Sequence, residues 1–164
     1  MSQRNLAALV DFSNLINSDL DINFILNNLL LTCFGKFLTS KGFVLLADEN
    51  NNIKIGLVKG YNNSVFDSIV NKSIDEVFDE LNEDFCLLNK IAVTEKISTT
   101  KGTIGIFALG EKITKEKYLL DDINFIQTIL KISAVAIENS LTLDRLNSIN
   151  RSLDSKINQL SSLF

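Results

Sequence analysis

The sequence has no histidine, no tryptophan, no proline and only two cysteines among its 164 residues. Without histidine there is no imidazole general base, no His-assisted Ser or Cys nucleophile, and no histidine ligand for haem or zinc. Two cysteines cannot form a four-cysteine zinc site. Paired carboxylates could still do acid–base chemistry, but the acids mostly fall on predicted helix starts and turns. We therefore predict no catalytic residue and no metal site, and we do not expect an enzyme.

The two cysteines also indicate the compartment. Cys33 lies in an apolar helical run and Cys86 lies between Phe85 and Leu87, so we interpret both as buried hydrophobic residues. A chain without a disulfide framework fits a reducing compartment. The polar start lacks the apolar core of a signal peptide, and no apolar run approaches the ~18 residues of a membrane span. The sequence therefore predicts a cytoplasmic protein without a membrane span.

The charge is mildly acidic, with a formal net charge of −4. Proteins that bind nucleic acids usually cluster lysine and arginine on one face or along one helix. The sequence shows no such run, so we expect no nucleic-acid partner. The length suits one domain, or one domain with an extension.

Apolar residues at helical spacing predict helices at both ends of the chain. The first covers about residues 3–17, and the second runs from Ile22 towards Gly42, a plausible left-handed terminator. The last starts at Asp121, and its pattern does not stop. A helix over residues 121–164 would be roughly 65 Å long at 1.5 Å per residue, which exceeds a domain of this size.

Four apolar segments predict strands, at residues 43–47, 53–59, 91–98 and 103–109. Turn residues separate the first two strands and the last two. Between the two pairs, residues 64–90 suggest two short helices, but Phe85 to Leu88 fit either a helix end or a short strand.

Three stretches, taken in order, resemble the GAF domain family of sensory modules. The first is the lead into the second helix, residues 15–21. The second is the strand–turn–strand segment from Gly42 to Tyr61. The third and most specific is the strand at residues 102–110, followed by a charged loop and the last helix as far as Asn139.

The resemblance implies an α/β (α+β) fold with an antiparallel sheet of five or six strands. The N- and C-terminal helices would pack on one face, and middle helices and loops would cover a ligand pocket on the other. Family members typically sit in multidomain bacterial signalling proteins, upstream of cyclases, phosphatases, kinases or transcription activators. The resemblance and the helix pattern together predict an N-terminal dimerisation helix (1–18), a sensor domain (19–140) and a coiled-coil linker helix (141–164) to a C-terminal effector.

Some members of the family bind cyclic nucleotides, others bind different small molecules or a chromophore, and many have no known ligand. The nucleotide-binding members carry an Asn-Lys pair, then Phe, then Asp-Glu around the last strand and loop. The matching stretch here offers Gly110-Glu111, Tyr118 and Asp122-Ile123, so only the aromatic residue and one acid are approximated. A cyclic nucleotide stays a candidate ligand. Histidine-ligated haem is excluded, and a thioether-linked bilin is not expected from two buried cysteines.

A small-molecule ligand would lie between the sheet and residues 61–90, where a pocket needs apolar walls and a few polar groups. The candidate ligand-binding residues are Lys59, Tyr61, Phe78, Phe85, Asn89, Lys90, Thr94 and Lys96. Lys59 and Lys96 could hold a phosphate as point charges, or could protect a sheet edge. The alternative is that Phe78 and Phe85 are core residues and the others are solvated.

Beyond Glu138 the last helix turns polar but keeps a thin apolar seam with heptad a/d spacing, interrupted by Lys156. The seam predicts a parallel coiled coil in a homodimer, or a surface helix folded back on its own domain. The first helix could join a dimer interface. The candidate dimerisation residues are Leu6, Leu9, Ile16, Leu146, Ile149, Leu153 and Leu160. The apolar tip at Leu163 and Phe164 predicts that the natural chain continues.

Together these features predict a regulatory sensor domain that dimerises and binds a small molecule, such as a cyclic nucleotide, to control a C-terminal output domain. The alternative is a ligand-free scaffold of the same family that serves only dimerisation and signal relay. In the sensor, ligand binding under the middle helices would favour one packing of the terminal helices over another.

Overall fold

The computed structural model describes residues 2–163, so the expectation for Phe164 lies outside the described residues. Its elements are α1 (Gln3–Ile16), α2 (Ile22–Phe37), β1 (Gly42–Ala47), β2 (Ile53–Lys59), a 3₁₀ turn (Asn63–Phe66), α3 (Ile74–Glu80), α4 (Glu83–Asn89), β3 (Ile91–Thr99), β4 (Gly102–Gly110) and α5 (Leu120–Ser162). Within the described range, no helix is both long enough and apolar enough to cross a membrane.

The four strands form one antiparallel sheet in the order β2–β1–β4–β3. All four predicted strands are confirmed, but the sheet of residues 2–163 has four strands instead of five or six. The remaining strand candidate, Phe85 to Leu88, lies in α4. The Asn82 side chain accepts a hydrogen bond from the Phe85 amide at 3.0 Å, and Lys90 ends the helix in a left-handed conformation. These two caps favour a helix over an edge strand.

The sheet is covered on both faces. Alternate residues of β1 and β4 point to opposite sides, and both sets are buried in a core cluster. Val44, Leu46 and Phe107 pack under α1, α2 and α5. Phe43 and Leu45 pack under residues 61–90, hereafter the middle segment. The predicted arrangement, with the terminal helices on one face and the middle helices on the other, is confirmed.

Helix α1 is part of this core. Leu9, Phe12 and Ile16 are buried at 4%, 3% and 0% exposure. Leu9 and Ile16 therefore pack inside their own protomer, and their assignment to a dimer interface is wrong. Leu6, Val10 and Leu15 are the large apolar residues that α1 leaves exposed. The helical period does not say which of two apolar stripes meets the sheet, and the packing on α2 and α5 decides it.

Helix α2 ends at Phe37, before Gly42, the residue predicted to terminate it. Leu38 takes the left-handed conformation with φ of 54°, and its amide bonds to the Phe34 carbonyl. Gly42 instead begins β1, where a Cβ would lie 2.9 Å from the Ala108 carbonyl oxygen. This glycine allows a close approach of two strands, so its assignment as a helix terminator is wrong.

Helix α5 changes character halfway along its length. Its buried residues run from Phe125 to Ser140, and from Thr142 to Leu163 every residue is exposed. Its first turn is fixed by Asp122, which accepts hydrogen bonds from the Leu119 amide and the Lys112 ammonium, both at 2.9 Å. Burial alone would raise the pKa of Asp122, but these two donors hold it below its ordinary value.

Two glycine-to-alanine substitutions test the register of the sheet. At Gly105, a Cβ would lie 2.6 Å from the Leu45 carbonyl oxygen, so β1 and β4 would have to separate. We expect Gly105→Ala to destabilise the fold by about 1–3 kcal/mol. Gly35→Ala is the control, because a Cβ there meets nothing within 4 Å in the exposed part of α2. It should stabilise the fold by about 0.5–1 kcal/mol. Urea unfolding monitored by circular dichroism measures both, and an unchanged Gly105→Ala midpoint would contradict the β1–β4 pairing.

Candidate functional site

The face under the middle segment is filled by the protein's own side chains. Phe66, Ile69 and Val77 are each fully buried at 0% exposure and pack on the sheet residues of this face. The Phe43 ring contacts the Phe66 ring edge-on, with 4.9 Å between centroids. A ligand at this place would have to displace these side chains, because the apolar contact they make is part of the core.

Tyr61 stands at the border of this packed face. Its ring lies 5.8 Å from the Phe43 ring, and the Lys41 ammonium lies 5.8 Å from the Tyr61 ring centre. The Tyr61 hydroxyl is buried and has no hydrogen-bond partner among residues 2–163. Burial, with smaller contributions from nearby Cys86 and Glu111, raises the pKa of Tyr61 to about 12. A buried hydroxyl without a hydrogen-bond partner lowers the stability of the fold, and such groups are rare in proteins.

Four further predicted residues lie on the same face. The Lys96 ammonium lies 4.6 Å from the Phe78 ring centre, which is a cation–π contact. Thr94 is paired with Ala108 across the strands and therefore shares its face. Phe78 and Phe85 are half-buried against the core cluster of this face. The structure thus gives these aromatic residues a packing role.

Lys59 lies on the other face of the sheet. It is paired directly with Gly42, and paired residues in an antiparallel ladder share a face. A Cβ on Gly42 would meet Leu30 and Phe34 of α2. Lys59 is therefore on the α2 side, and its assignment to a pocket under the middle segment is wrong.

Asn89 and Lys90 form the C-terminal end of α4. The Asn89 side-chain amide donates to the Phe85 carbonyl one turn earlier, at 3.0 Å. Lys90 ends the helix with φ of 55°, and its side chain is exposed. Lys90 instead lines a cleft at the end of the sheet, which no pattern in the sequence predicts.

That feature is a cleft of about 280 Å³, lined by Ser40, Lys41, Lys90, Glu111, Lys112, Ile113 and Lys115. We call it the lysine cleft. It brings four lysines and one carboxylate together in a chain whose net charge is negative. The lysines come from three separate parts of the chain, so no run of basic residues signals the cleft in the sequence.

The wall of the lysine cleft is held in place by hydrogen bonds to the end of β4. The Tyr118 hydroxyl donates to the Gly110 carbonyl at 2.9 Å, and the Thr39 hydroxyl lies 3.3 Å from the same oxygen. Thr39 also donates to the Glu111 carbonyl at 3.0 Å. Across the strand end, the Gly110 amide donates to the Lys41 carbonyl at 2.7 Å. The backbone beside the lysines is therefore fixed before any ligand arrives.

The cysteines have no reactive surroundings. Cys33 is fully buried, and burial raises the pKa of its thiol to about 12. Cys86 is half-buried, and burial raises its pKa as well. Raised pKa values keep both thiols protonated at neutral pH, which makes them poor nucleophiles. Along residues 2–163, no three His, Cys, Asp or Glu side chains are grouped so that they could hold a metal ion.

No protein-family model and no curated protein matches this sequence. Solved structures do match. The GAF domain of the Acinetobacter phosphoenolpyruvate-protein phosphotransferase superposes with a TM-score of 0.63 at 14% identity, over 87% of this chain and 97% of that one. The GAF domain of the potassium sensor histidine kinase KdpD from Escherichia coli gives 0.59 at 13%, over 85% and 96%. The phycoerythrobilin-bound GAF domain of a cyanobacterial phytochrome gives 0.59 at 12%, over 88% and 100%. The chain therefore has a GAF-like α+β fold.

The two tyrosines form a matched pair for testing the unpaired hydroxyl. Tyr61→Phe removes a hydroxyl without a partner, so we expect the free energy of unfolding to stay the same or to rise. Tyr118→Phe removes the hydrogen bond to the Gly110 carbonyl and should lower the free energy of unfolding by about 1 kcal/mol. Urea unfolding of both variants measures the contrast. A loss at Tyr61 equal to the loss at Tyr118 would show that the Tyr61 hydroxyl is bonded in solution.

Both tyrosines should also ionise late, because burial raises the pKa of each to about 12. The chain has no tryptophan, so absorbance at 295 nm reports the phenolates directly. At pH 11 we expect about a tenth of the tyrosine to be ionised in the native protein and about nine-tenths in urea. A folded-state pKa above the unfolded value means that stability is full below pH ~10 and falls as the pH rises towards 12. Equal ionisation in the two states would contradict the burial of both rings.

Proposed function

We propose that this chain is a GAF-type signal-relay domain that forms a parallel homodimer through the outer half of α5. The proposal depends on one observation. Leu146, Ile149, Leu153 and Leu160 lie at heptad a/d spacing on the part of α5 that no other element covers, each more than half exposed. A row of apolar residues on a bare helix is the pattern of a coiled-coil seam.

The exposed seam is long enough to pair. Residues 141–162 of α5 span about 33 Å at 1.5 Å per residue. Fully burying one leucine side chain contributes about 1.5–3 kcal/mol, and each of these residues would meet its equivalent in a parallel partner. Association itself costs about 4–15 kcal/mol, so the pairing should depend on concentration. Lys156 weakens it by occupying a core position of the heptad.

Beside the domain, the heptad phase of the seam passes through the polar Thr142 and Asn139 and reaches Val135. Val135 is 60% exposed in the half of α5 that packs on the sheet. Leu6 and Val10 are exposed on α1, which packs against α5. We propose that Leu6, which the sequence predicted, and Val10 extend the dimer interface, while Leu9 and Ile16 stay in the core.

Two contacts connect the sheet to α5 where the helix leaves the domain. Arg145 lies 3.6 Å from the Glu49 carboxylate in the β1–β2 turn. Lys101 in the β3–β4 turn lies 3.5 Å from the Glu138 carboxylate. Exposed pairs of this kind contribute at most about 1 kcal/mol each, so they can exchange partners readily. A displacement of either turn would change the direction in which α5 leaves the domain, and we propose that this change is what a C-terminal effector receives.

For the face under the middle segment, the packing favours the scaffold alternative over a cyclic nucleotide. The side chains that occupy it are fully buried, and moving them would expose apolar surface that the core needs. We propose that this face stays closed in the working protein. The similar structures include domains of a sensor histidine kinase and of a phytochrome, which supports a place in signalling and leaves the ligand of this chain open.

The dimer is tested by removing the seam. We expect the wild-type chain to sediment as a dimer at tens of micromolar, and Leu146→Asn/Leu153→Asn to sediment as a folded monomer. Leu87→Asn/Leu88→Asn is the matched control, because these leucines are 72% and 82% exposed on α4, away from the seam. The control should remain dimeric. A second variant, Lys156→Leu, completes the heptad and should tighten the dimer about tenfold or more.

Two results would overturn the proposal. One is a wild-type monomer over the whole concentration range, and the other is a dimer that loses stability equally in the seam and control variants. Orientation is tested with Ile149→Cys, since a parallel in-register coiled coil places this residue beside its equivalent and permits a disulfide. The wild-type chain, with Cys33 buried and Cys86 half-buried, gives the background for that measurement.

A further inference from the structure

We propose that the lysine cleft is a binding site for a small phosphate-bearing anion. The site is separate from the α5 seam and from the face under the middle segment, so it does not depend on the proposed dimer. It lies at the end of the sheet where β1 begins and β4 and α4 end. The cleft holds about 280 Å³, enough for a compact group and too little for a macromolecular segment.

The groups left without partners in the cleft are hydrogen-bond donors. Lys112 is paired with Asp122, and Lys115 with Glu111 at 3.0 Å. Across residues 2–163, neither Lys41 nor Lys90 has a carboxylate partner or another hydrogen-bond acceptor. A site with spare donors and spare positive charge calls for a ligand rich in acceptors and negative charge.

One more donor lies next to this wall. The unpaired Tyr61 hydroxyl would stand 3.0 Å from a Cβ placed on Gly110, and that same Cβ would stand 2.9 Å from the Lys41 Cβ. The hydroxyl and the Lys41 side chain are therefore neighbours around one glycine. The hydroxyl is buried and Tyr61 does not line the cleft, so a ligand oxygen beside Lys41 would reach it only if the surrounding side chains moved.

The kind of charge in the cleft favours phosphate over a planar carboxylate. Lysine presents a compact point charge on a flexible stem, whereas arginine presents the planar fork that matches a carboxylate with two parallel hydrogen bonds. The cleft is lined by lysines and contains no arginine. Ile113, 70% exposed at the rim, offers an apolar contact for the organic part of a phosphorylated metabolite.

The charges around the cleft do not cancel. Four lysines line it, against the carboxylates of Glu111 within the cleft and Asp122 beside it. An anion that binds the folded state alone would stabilise it in proportion to RT ln(1 + [L]/Kd).

The cleft is also connected to α5. Lys112 is only 11% exposed, and its ammonium bonds to Asp122, which caps the first turn of α5. A phosphate that draws Lys112 towards itself would compete with the Asp122 carboxylate for the Lys112 ammonium. A ligand in the cleft would therefore change the contacts of Asp122 at the start of α5.

Inorganic pyrophosphate is the probe for this site. Thermal unfolding is followed over a range of pyrophosphate concentrations, with sodium chloride holding the ionic strength constant and citrate as a second polyanion. We expect the Tm to rise with the logarithm of pyrophosphate concentration and the citrate response to be smaller. Isothermal titration calorimetry then gives the affinity and the stoichiometry, expected to be one site per chain.

Variants locate the site. Lys41→Gln/Lys90→Gln should weaken pyrophosphate binding about tenfold or more and should leave the ligand-free Tm unchanged or raised, because repulsion is relieved. The matched control is Lys54→Gln/Lys131→Gln, which removes two exposed lysines outside the cleft and should bind like the wild type. Ser40→Glu places a carboxylate in the cleft and should abolish the response while the fold is kept.

Three outcomes would overturn the inference. They are a Tm shift that citrate reproduces fully, a pyrophosphate affinity that survives both Lys41→Gln/Lys90→Gln and Ser40→Glu, and an affinity that falls equally in the Lys54→Gln/Lys131→Gln control. Each is read on the isolated chain at any oligomeric state. Failure here therefore leaves the dimer test untouched, and failure of the dimer leaves this test untouched.

Discussion

The pairing of β1 with β4 at the centre of the sheet is the constraint on which the rest of the structure depends. Every residue of β1, and β4 from Gly105 onwards, is buried, so the two central strands need cover on both faces. One face takes α1, α2 and the first half of α5. The other takes the middle segment. Gly42 and Gly105 make the close contact possible, since a side chain at either position would collide with a backbone oxygen of the partner strand.

This demand for cover explains why the face expected to hold a ligand is full. The middle segment is short, with two helices of seven residues each, and it must close a whole sheet face with a few large side chains such as Phe66 and Ile69. What remains free for binding lies at the margins of the core. The end of β4 meets the ends of α2 and α4, and lysines from those termini gather around one cleft. Beyond the sheet, α5 continues with nothing beneath it.

The elements themselves were readable from local patterns. The four strands, the two N-terminal helices and the long last helix follow from the period of their apolar residues, which is a property of neighbouring positions. The differences from the predictions have separate causes. Leu38 ends α2 in a left-handed conformation, and its carbonyl accepts a hydrogen bond from the distant Ile113 amide at 2.7 Å. The helix α4 is capped locally by Asn82 and Lys90. Leu9 and Ile16 belonged to the inner stripe of α1, which only the contact with α2 and α5 reveals.

The sequence by itself determined the chemistry that the protein lacks and the seam of α5. The absence of histidine is a matter of composition, and heptad spacing along one helix needs no second element to be recognised. Only the tertiary structure decided that Lys59 faces α2, that the middle segment is closed, and that Lys41, Lys90, Lys112 and Lys115 share a cleft. The physical reason is that strand register and chain crossings bring together residues far apart in sequence, and such proximity leaves no periodic trace in the chain.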